Sequence, residues 1–141
     1  MKIIRVILGV LVAMAVLTIV VESLEFFLVK SVSGKSMEYF SNNQTEYFSI
    51  RNQTWILVLK AVYTFLASLL AGWLGSLITG HFQKPFFITI VVIQGAAFLY
   101  AMLFSEFKDT LPIYYWLLLL ILVLSGIYSG NSIYNRKKTK N

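Results

Sequence analysis

Apolar residues fall into four long runs along this chain, and each run is apolar on every face of a helix. The runs cover residues 3–29, 55–79, 86–104 and 112–130. A helix needs about 20 apolar residues to cross the hydrocarbon layer of a bilayer, and all four runs are close to that length. Because lipid offers the backbone no hydrogen-bond partners, such runs form helices. The pattern predicts an all-α integral membrane protein with four transmembrane helices.

The ends of the runs predict how the helices connect. Pro85 and Pro112 fall in the first turn of the third and fourth runs, where a missing amide proton does no harm. Gly80 suits the end of the second helix. The connections after the second and third runs are short, which places consecutive helices antiparallel. We therefore expect residues 1–141 to form one membrane domain, an antiparallel four-helix bundle.

The composition agrees with a membrane protein. Hydrophobic residues make up 58% of the chain and charged residues 13%, with a mean hydropathy of +0.76. The first run follows basic residues, as in a secretory signal, but cleavage at Ala13-Met14-Ala15 would leave too short a hydrophobic region. We interpret the first run as an uncleaved anchor.

Charge differs between the two ends of the predicted bundle. With both termini on one side, that side carries seven basic residues and no acid: Lys2, Arg5, Lys84, Arg136, Lys137, Lys138 and Lys140. The other side carries all six acids: Glu22, Glu25, Glu38, Glu46, Glu106 and Asp109. Basic residues favour the cytoplasmic side of a membrane. We expect a multi-pass protein of the plasma membrane, preferably the bacterial inner membrane, with both termini cytoplasmic.

The basic residues at the C-terminus form a predicted cytoplasmic tail over residues 131–141. A short basic segment after a spanning helix typically marks orientation and meets anionic lipid headgroups. The net charge of +6 is therefore not a nucleic-acid signature. We expect the lipid bilayer as a partner and no nucleic acid.

The loop over residues 30–54 contains an internal repeat. Residues 38–45 read EYFSNNQT and residues 46–54 read EYFSIRNQT, so each copy carries an aromatic pair. The pairs are Tyr39 with Phe40 and Tyr47 with Phe48. Aromatic rings of this kind settle at the headgroup level of a membrane, which predicts two short turns on the outer surface. The alternative is a docking loop for a partner, because exposed aromatic residues favour binding.

Two glutamates lie inside the first run, where charge is costly. Glu22 and Glu25 are three residues apart on one helix face. Glu22 lies about 10 Å below a helix end at Val29, and a charged group at that depth needs a partner. Lys60, near the start of the second run, lies at a similar depth. These residues are predicted to form a structural ion pair through Glu22 or Glu25, or an outer cation or proton site.

Small residues recur every four positions along the second run, at Ser68, Gly72, Ser76 and Gly80. Membrane helices approach closely along such faces. Gly9 with Ala13 and Gly126 with Gly130 offer matching surfaces on the first and fourth runs. The face is predicted to pack within the bundle or to form a homo-oligomer interface. Gln94, near the centre of the third run, is predicted to hydrogen-bond across a helix interface.

Other polar and aromatic residues indicate no chemistry. Trp55, Tyr114, Tyr115 and Trp116 are predicted to form an aromatic belt at the outer interface. The chain has no cysteine, which excludes disulfides and thiol catalysis. His81 has no ligand-type neighbour, and no phosphate loop, nucleophile elbow or HExxH motif is present. We expect no catalytic residue, no metal, no cofactor and no enzymatic activity.

Two segments resemble uncharacterised small four-span membrane proteins of bacteria. The segments are Val21-Glu22-Ser23-Leu24 in the first run and Leu70 to Gly75 in the second. The likeness covers roughly the first 80 residues. Other members look to have a histidine and prolines soon after the acid, whereas this chain has Phe26-Phe27, so a site built on that histidine would be absent. The resemblance implies no known activity.

The sequence thus predicts a non-enzymatic membrane protein, an accessory or scaffold subunit that binds a partner membrane protein or forms a homo-oligomer. The small-residue face, the aromatic loop and the lack of catalytic motifs favour this interpretation. The alternative is a small oligomeric transporter or channel. Its outer cation or proton site would be built on Glu22 and Glu25.

Overall fold

The computed structural model describes residues 2–104 and 108–138, and only the backbone of Lys108, Lys137 and Lys138. Glu106 of the predicted acidic side and residues 139–141 of the predicted tail lie outside the described residues. The helices are α1 (Lys2–Ser33), α2 (Met37–Asn42), α3 (Gln44–Arg51), α4 (Thr54–Thr79), α5 (Gln83–Leu103) and α6 (Ile113–Lys138), with a 3-10 turn η1 (Lys108–Thr110) before α6. The described residues contain no strand.

Four of these helices are long and apolar enough to cross a membrane: α1, α4, α5 and α6. The prediction of an all-α protein with four helices of spanning length is confirmed. The loop end of the molecule comprises α2, α3, η1 and the adjoining ends of the long helices. The opposite end, called the basic end, contains the start of α1, the α4–α5 connection and the end of α6.

Helix α4 lies at the centre of the bundle, with α1 and α6 on either side of it. Helices α1 and α4 are antiparallel, since Glu25 contacts Lys60 while Gly9 lies against Gly75. Helices α4 and α6, which are not consecutive among the four long helices, are parallel and pack most extensively. Helix α5 packs less extensively against α1, α4 and α6 than α4 does against α1 and α6. Most of the side chains of α5 are therefore exposed or only partly buried.

Small residues let α4 approach α6 closely. A Cβ atom on Gly72 would overlap the backbone of Ile127, and one on Gly126 would lie 2.8 Å from the carbonyl oxygen of Phe65. Ser68 and Ser76 are fully buried, and the Ser76 hydroxyl contacts Asn131 Oδ1 at 2.9 Å. The predicted small-residue face is therefore occupied within the chain by α6, and by α1 through Gly75.

Gly80 has a different role from the rest of that series. Its φ angle is +62°, a conformation that favours glycine, and its amide donates to the Ser76 carbonyl 2.9 Å away as α4 ends. A Cβ atom there would meet nothing within 4 Å. Gly80 terminates the helix and does not pack against a neighbour.

Several helix boundaries differ from the predicted ones. Helix α1 continues past Val29 to Ser33, and it ends before Gly34, whose φ is +69°. In this last turn the Ser31 and Ser33 hydroxyls donate to carbonyls four residues earlier. Helix α6 runs to Lys138, so most of the predicted tail is helical. The loop over residues 30–54 also folds into helices α2 and α3 rather than two turns.

Tyr115 does not belong to the aromatic belt in which the sequence analysis predicted it. Its side chain is buried with Leu111 and Leu119, and its hydroxyl donates to the Leu57 carbonyl at 2.7 Å. The hydroxyl finds a partner on α4, so the ring packs inside the bundle instead of at its surface. Tyr114 beside it is exposed, as predicted for a surface anchor.

Candidate functional site

The polar centre of the molecule is the Glu25 carboxylate at the loop end. Glu25 lies on the inner face of α1 and is 3% exposed, whereas Glu22, one turn earlier, is exposed. The two predicted site carboxylates therefore occupy different environments. Burial of a carboxylate is costly without partners, so its contacts decide what it does.

Three side chains surround Glu25. The Lys60 ammonium group of α4 contacts Oε2, and the Tyr47 hydroxyl of α3 donates to Oε1 at 3.0 Å. The Arg51 guanidinium of α3 lies 3.7 Å from Oε1. We call these four residues the Glu25 centre. Lys60 thus pairs with Glu25, and none of the salt bridges within the described residues involves Glu22.

Arg51 connects this centre to the rest of the loop end. The residue is 9% exposed, and its Nη2 donates to the Thr110 hydroxyl at 3.2 Å. Its guanidinium carbon lies 4.7 Å from the centre of the Phe48 ring, a cation–π arrangement. Arg51 therefore joins α1, α3 and the segment before α6.

Arg51 is a site residue that hydropathy and predicted depth do not single out, because it lies in the loop and not in an apolar run. One signal was available. The second copy of the repeat is one residue longer, and Ile50-Arg51 stands where the first copy has Asn42 alone. The charge that enters the centre lies at the point where the copies differ in length.

The charges of the Glu25 centre are one carboxylate and two cations. Lys60 and Arg51 side chains are 12% and 10% exposed, so both cations are largely removed from solvent. A buried carboxylate with two cations and a phenol as partners has little remaining capacity to bind an outside cation. The arrangement is suited to holding α1, α3 and α4 together.

Tyr47 acts as a neutral donor in this centre. Burial raises the pKa of its phenol, and the negative charge of Glu25 and the hydrogen bond to it raise that pKa further. The exposed carboxylate of Glu22 contributes to the same shift. The phenol therefore keeps its proton over the physiological range and donates it to Glu25.

An exposed counterpart of this arrangement lies nearby in the loop. The Lys35 ammonium group contacts Glu46 Oε1 at 2.6 Å, and the Tyr39 hydroxyl donates to Glu46 Oε2 at 2.7 Å. The hydrogen bond from Lys35 lowers the pKa of Glu46, and Tyr39 lowers it further. The bond to Glu46 raises the pKa of Lys35. We call these three residues the Glu46 cluster.

The four loop aromatic residues pack on one another. Successive rings from Tyr39 to Phe40, Tyr47 and Phe48 are 5.5 to 5.7 Å apart in edge-to-face pairs. Phe40 is 3% exposed, while Tyr39 remains open to the surface. The predicted docking loop thus presents less aromatic surface than its sequence indicates, since the rings hold α2 against α3.

The remaining predicted site residues lie apart from the Glu25 centre. Gln94 is buried on α5, and His81 is exposed at the basic end. Within the part of the chain that the structure describes, no group of three metal-ligating side chains is present. The structure has one surface groove beside η1 and another between α1 and α5. Glu22, Glu25 and Lys60 line neither of these two grooves.

Comparison of this chain with protein-family models, with curated proteins and with solved structures finds no match. The resemblance of the first 80 residues to small four-span bacterial proteins therefore stays a prediction.

Proposed function

We propose that this protein is a non-enzymatic integral membrane protein that serves as an accessory or scaffold subunit. It would act through lateral contacts with another membrane protein or with further copies of itself. The proposal requires no cofactor, metal or nucleic acid. Its polar groups hold the bundle in shape, and its apolar outer surfaces form the contacts.

One observation carries this proposal: the partners of Glu25 are the protein's own Lys60, Arg51 and Tyr47. A carboxylate poised to take up a cation needs a vacant coordination side and access to water. Glu25 is buried and has two cations against it. These contacts support a structural joint between helices rather than a transport site.

Charge supports the proposed orientation, with both termini in the cytoplasm and the loop end outside, in a plasma membrane such as the bacterial inner membrane. In the sequence, the segments that this orientation places in the cytoplasm contain seven basic residues and no acid. The absence of cysteine makes single-cysteine labelling direct. A membrane-impermeant maleimide should label Asn42→Cys in intact spheroplasts and Lys84→Cys only after lysis. The reverse pattern would place the loop end inside and overturn the proposed orientation.

Photocrosslinking in native membranes tests the accessory role. A photoreactive residue is placed at exposed positions of three helices, Leu66 on α4, Ala96 on α5 and Ile121 on α6. We expect a discrete protein adduct from one of these faces, with lipid adducts from the others as the internal comparison. Lipid adducts alone, together with a lone monomer in mild detergent, would contradict the proposal.

The alternative is a small oligomeric transporter or channel. One observation favours it: Glu22 is exposed beside the Glu25 centre and close enough to act on Tyr47. Such a transporter would use Glu22 as its outer cation or proton site, with Glu25 as a fixed charge behind it. Flux in liposomes that Glu22→Gln abolishes would establish this alternative in place of the accessory role.

A further inference from the structure

A groove runs between α1 and α5 at the basic end of the molecule. Its volume is about 430 Å³. Its walls come from two helices that run in the same direction, and its lining residues are Lys2, Ile3, Val6, Ile7, Val10, Leu11, Phe82, Pro85, Thr89 and Ile93. Among these residues Lys2 carries the only charge, and Thr89 the only other polar side chain.

The walls of this groove suit a hydrocarbon chain. Val10 belongs to the buried core and forms part of the floor, while Ile3, Ile7 and Leu11 are exposed along α1. Over its length α5 packs less extensively against α1 than α4 does, which leaves room for the groove. Apolar walls with a few placed polar groups are typical of ligand pockets of about 300–1,000 Å³.

The entrance of the groove is positively charged. The Lys2 ammonium group lies 5.9 Å from the centre of the Phe82 ring, so the charge stands at the wall where α1 and α5 begin. Arg5 and Lys84 lie within a turn of the groove in sequence, and both are exposed. The carboxylates in the described part of the chain all lie toward the loop end, on α1 beyond its midpoint, on α2 and α3, or in η1. This charge is complementary to a phosphate group.

We propose that the groove binds an anionic glycerophospholipid, with one acyl chain between α1 and α5 and the headgroup phosphate at Lys2. A helix about 10 Å wide would fill a volume of this size with roughly a single turn, so the groove suits a thinner chain. A second copy inserted in the same direction would bring its own Lys2, Arg5 and Lys84 to the same entrance. Like charges would then oppose that contact.

Photolabelling of the full chain in vesicles tests this site. The vesicles consist of phosphatidylcholine with a minor fraction of phosphatidylglycerol that carries a photoreactive acyl chain. We expect labels on residues of the groove, identified by mass spectrometry. Phosphatidylcholine with the same photoreactive chain should label the groove less.

Two single substitutions, one of a lysine and one of an arginine, distinguish a headgroup bound at Lys2 from a general effect of surface charge. Lys2→Gln and Arg5→Gln remove the same charge one turn apart on α1, and only Lys2 lines the groove. A basic residue near an anionic headgroup contributes about a fivefold preference, so Lys2→Gln should reduce groove labelling by about that factor. Arg5→Gln should reduce it less. Equal loss in both variants, or equal labelling by the two lipids, would overturn the headgroup assignment.

Filling the groove tests the acyl chain. Ile7→Trp places an indole in the groove, while Ile4→Trp adds the same ring to an exposed position of α1 outside it. Ile7→Trp should abolish groove labelling and Ile4→Trp should preserve it. Thr89→Phe provides a second block from the α5 wall if circular dichroism shows that Ile7→Trp does not fold. Labels that persist in a folded blocked variant, or that spread evenly over the exposed faces of α4 and α6, would refute the site.

Discussion

Tyr39 and Tyr47 occupy equivalent positions in the two copies of the loop repeat, and each donates its hydroxyl to a glutamate that pairs with a lysine. Tyr39 donates to Glu46 on α3, and Tyr47 donates to Glu25 on α1. The same local sequence thus makes one exposed contact within the loop and one buried contact with the bundle. The second contact fixes the loop to the long helices of the bundle.

The two tyrosines therefore form a matched pair of substitutions. Tyr47→Phe removes a hydrogen bond to a buried carboxylate, which typically contributes about 1.5–3 kcal/mol, and should lower the free energy of unfolding by that amount. Tyr39→Phe removes an exposed bond and should leave that free energy unchanged within error. Unfolding in mixed detergent micelles measures both. Equal effects in the two variants would show that the Glu25 centre is not buried as described.

Removing the carboxylate of the Glu25 centre should have the larger effect. Glu25→Gln leaves Lys60 and Arg51 buried without their counter-charge, at a cost of about 3–5 kcal/mol in the free energy of unfolding. Lys60→Met should cost less, because Arg51 and Tyr47 still contact the carboxylate.

The double variant Glu25→Gln with Lys60→Met should be more stable than the sum of the single effects implies, since the two residues are in contact. Glu22→Gln is the matched control on the same helix and should change stability by less than about 0.5 kcal/mol. A Glu25→Gln protein as stable as the parent would contradict the structural role of the centre.

The Glu46 cluster predicts a pH dependence of the loop. Ionised Glu46 is stabilised by Lys35 and Tyr39, so its contribution to loop stability is present above the ordinary pKa of 4.5 and is lost as pH falls through its lowered pKa. The contribution of Lys35 is present below its ordinary pKa of 10.5 and is lost as pH rises through its raised pKa.

Carbon-13 NMR of the Glu46 carboxyl group measures the pH dependence on the acidic side. The titration midpoint should lie below 4.5 and move toward that value in Lys35→Met, where the main stabilising bond is absent. Lys30→Met removes a charge elsewhere on the loop end and should leave the midpoint in place. A midpoint that does not respond to Lys35→Met would disprove the Glu46 cluster.

Gly72 and Gly95 provide a test of the close contact between α4 and α6. Gly72→Ala places a methyl group against the backbone of Ile127, and the resulting overpacking should cost about 1–3 kcal/mol. Gly95→Ala meets nothing within 4 Å on α5 and should be neutral or stabilising, because alanine favours helix. Thermal unfolding of the two variants measures the difference. A Gly72→Ala protein as stable as the parent would mean that α4 and α6 lie further apart.

The sequence predicts the four long apolar helices well because their signal is local. Run length and hydropathy determine four helices, and Pro85 and Gly80 mark ends that the structure retains. The choice of helix neighbours is not local. Small residues on α1 and α6 both match the face of α4, so the sequence alone leaves the close parallel contact of α4 with α6 undetermined.

The part of the Glu25 centre that the sequence predicts is the part set by depth along the helices. Glu25 and Lys60 lie at similar depths on antiparallel helices, and the rise of a helix is enough to suggest their pairing. Arg51 and Tyr47 lie in a loop whose path does not follow from hydropathy. Their entry into the centre depends on how α3 folds back against α1, which is a tertiary contact.

A flux measurement in liposomes tests the central claim that the Glu25 centre is a structural joint and not a cation site. The parent protein, Glu25→Gln and Glu22→Gln are reconstituted at equal density, and proton and alkali-cation flux is recorded under an imposed gradient. We expect all three proteins to show only the background flux of protein-free liposomes. Flux above background in the parent that Glu25→Gln abolishes, in a variant shown by circular dichroism to be folded, would contradict this claim.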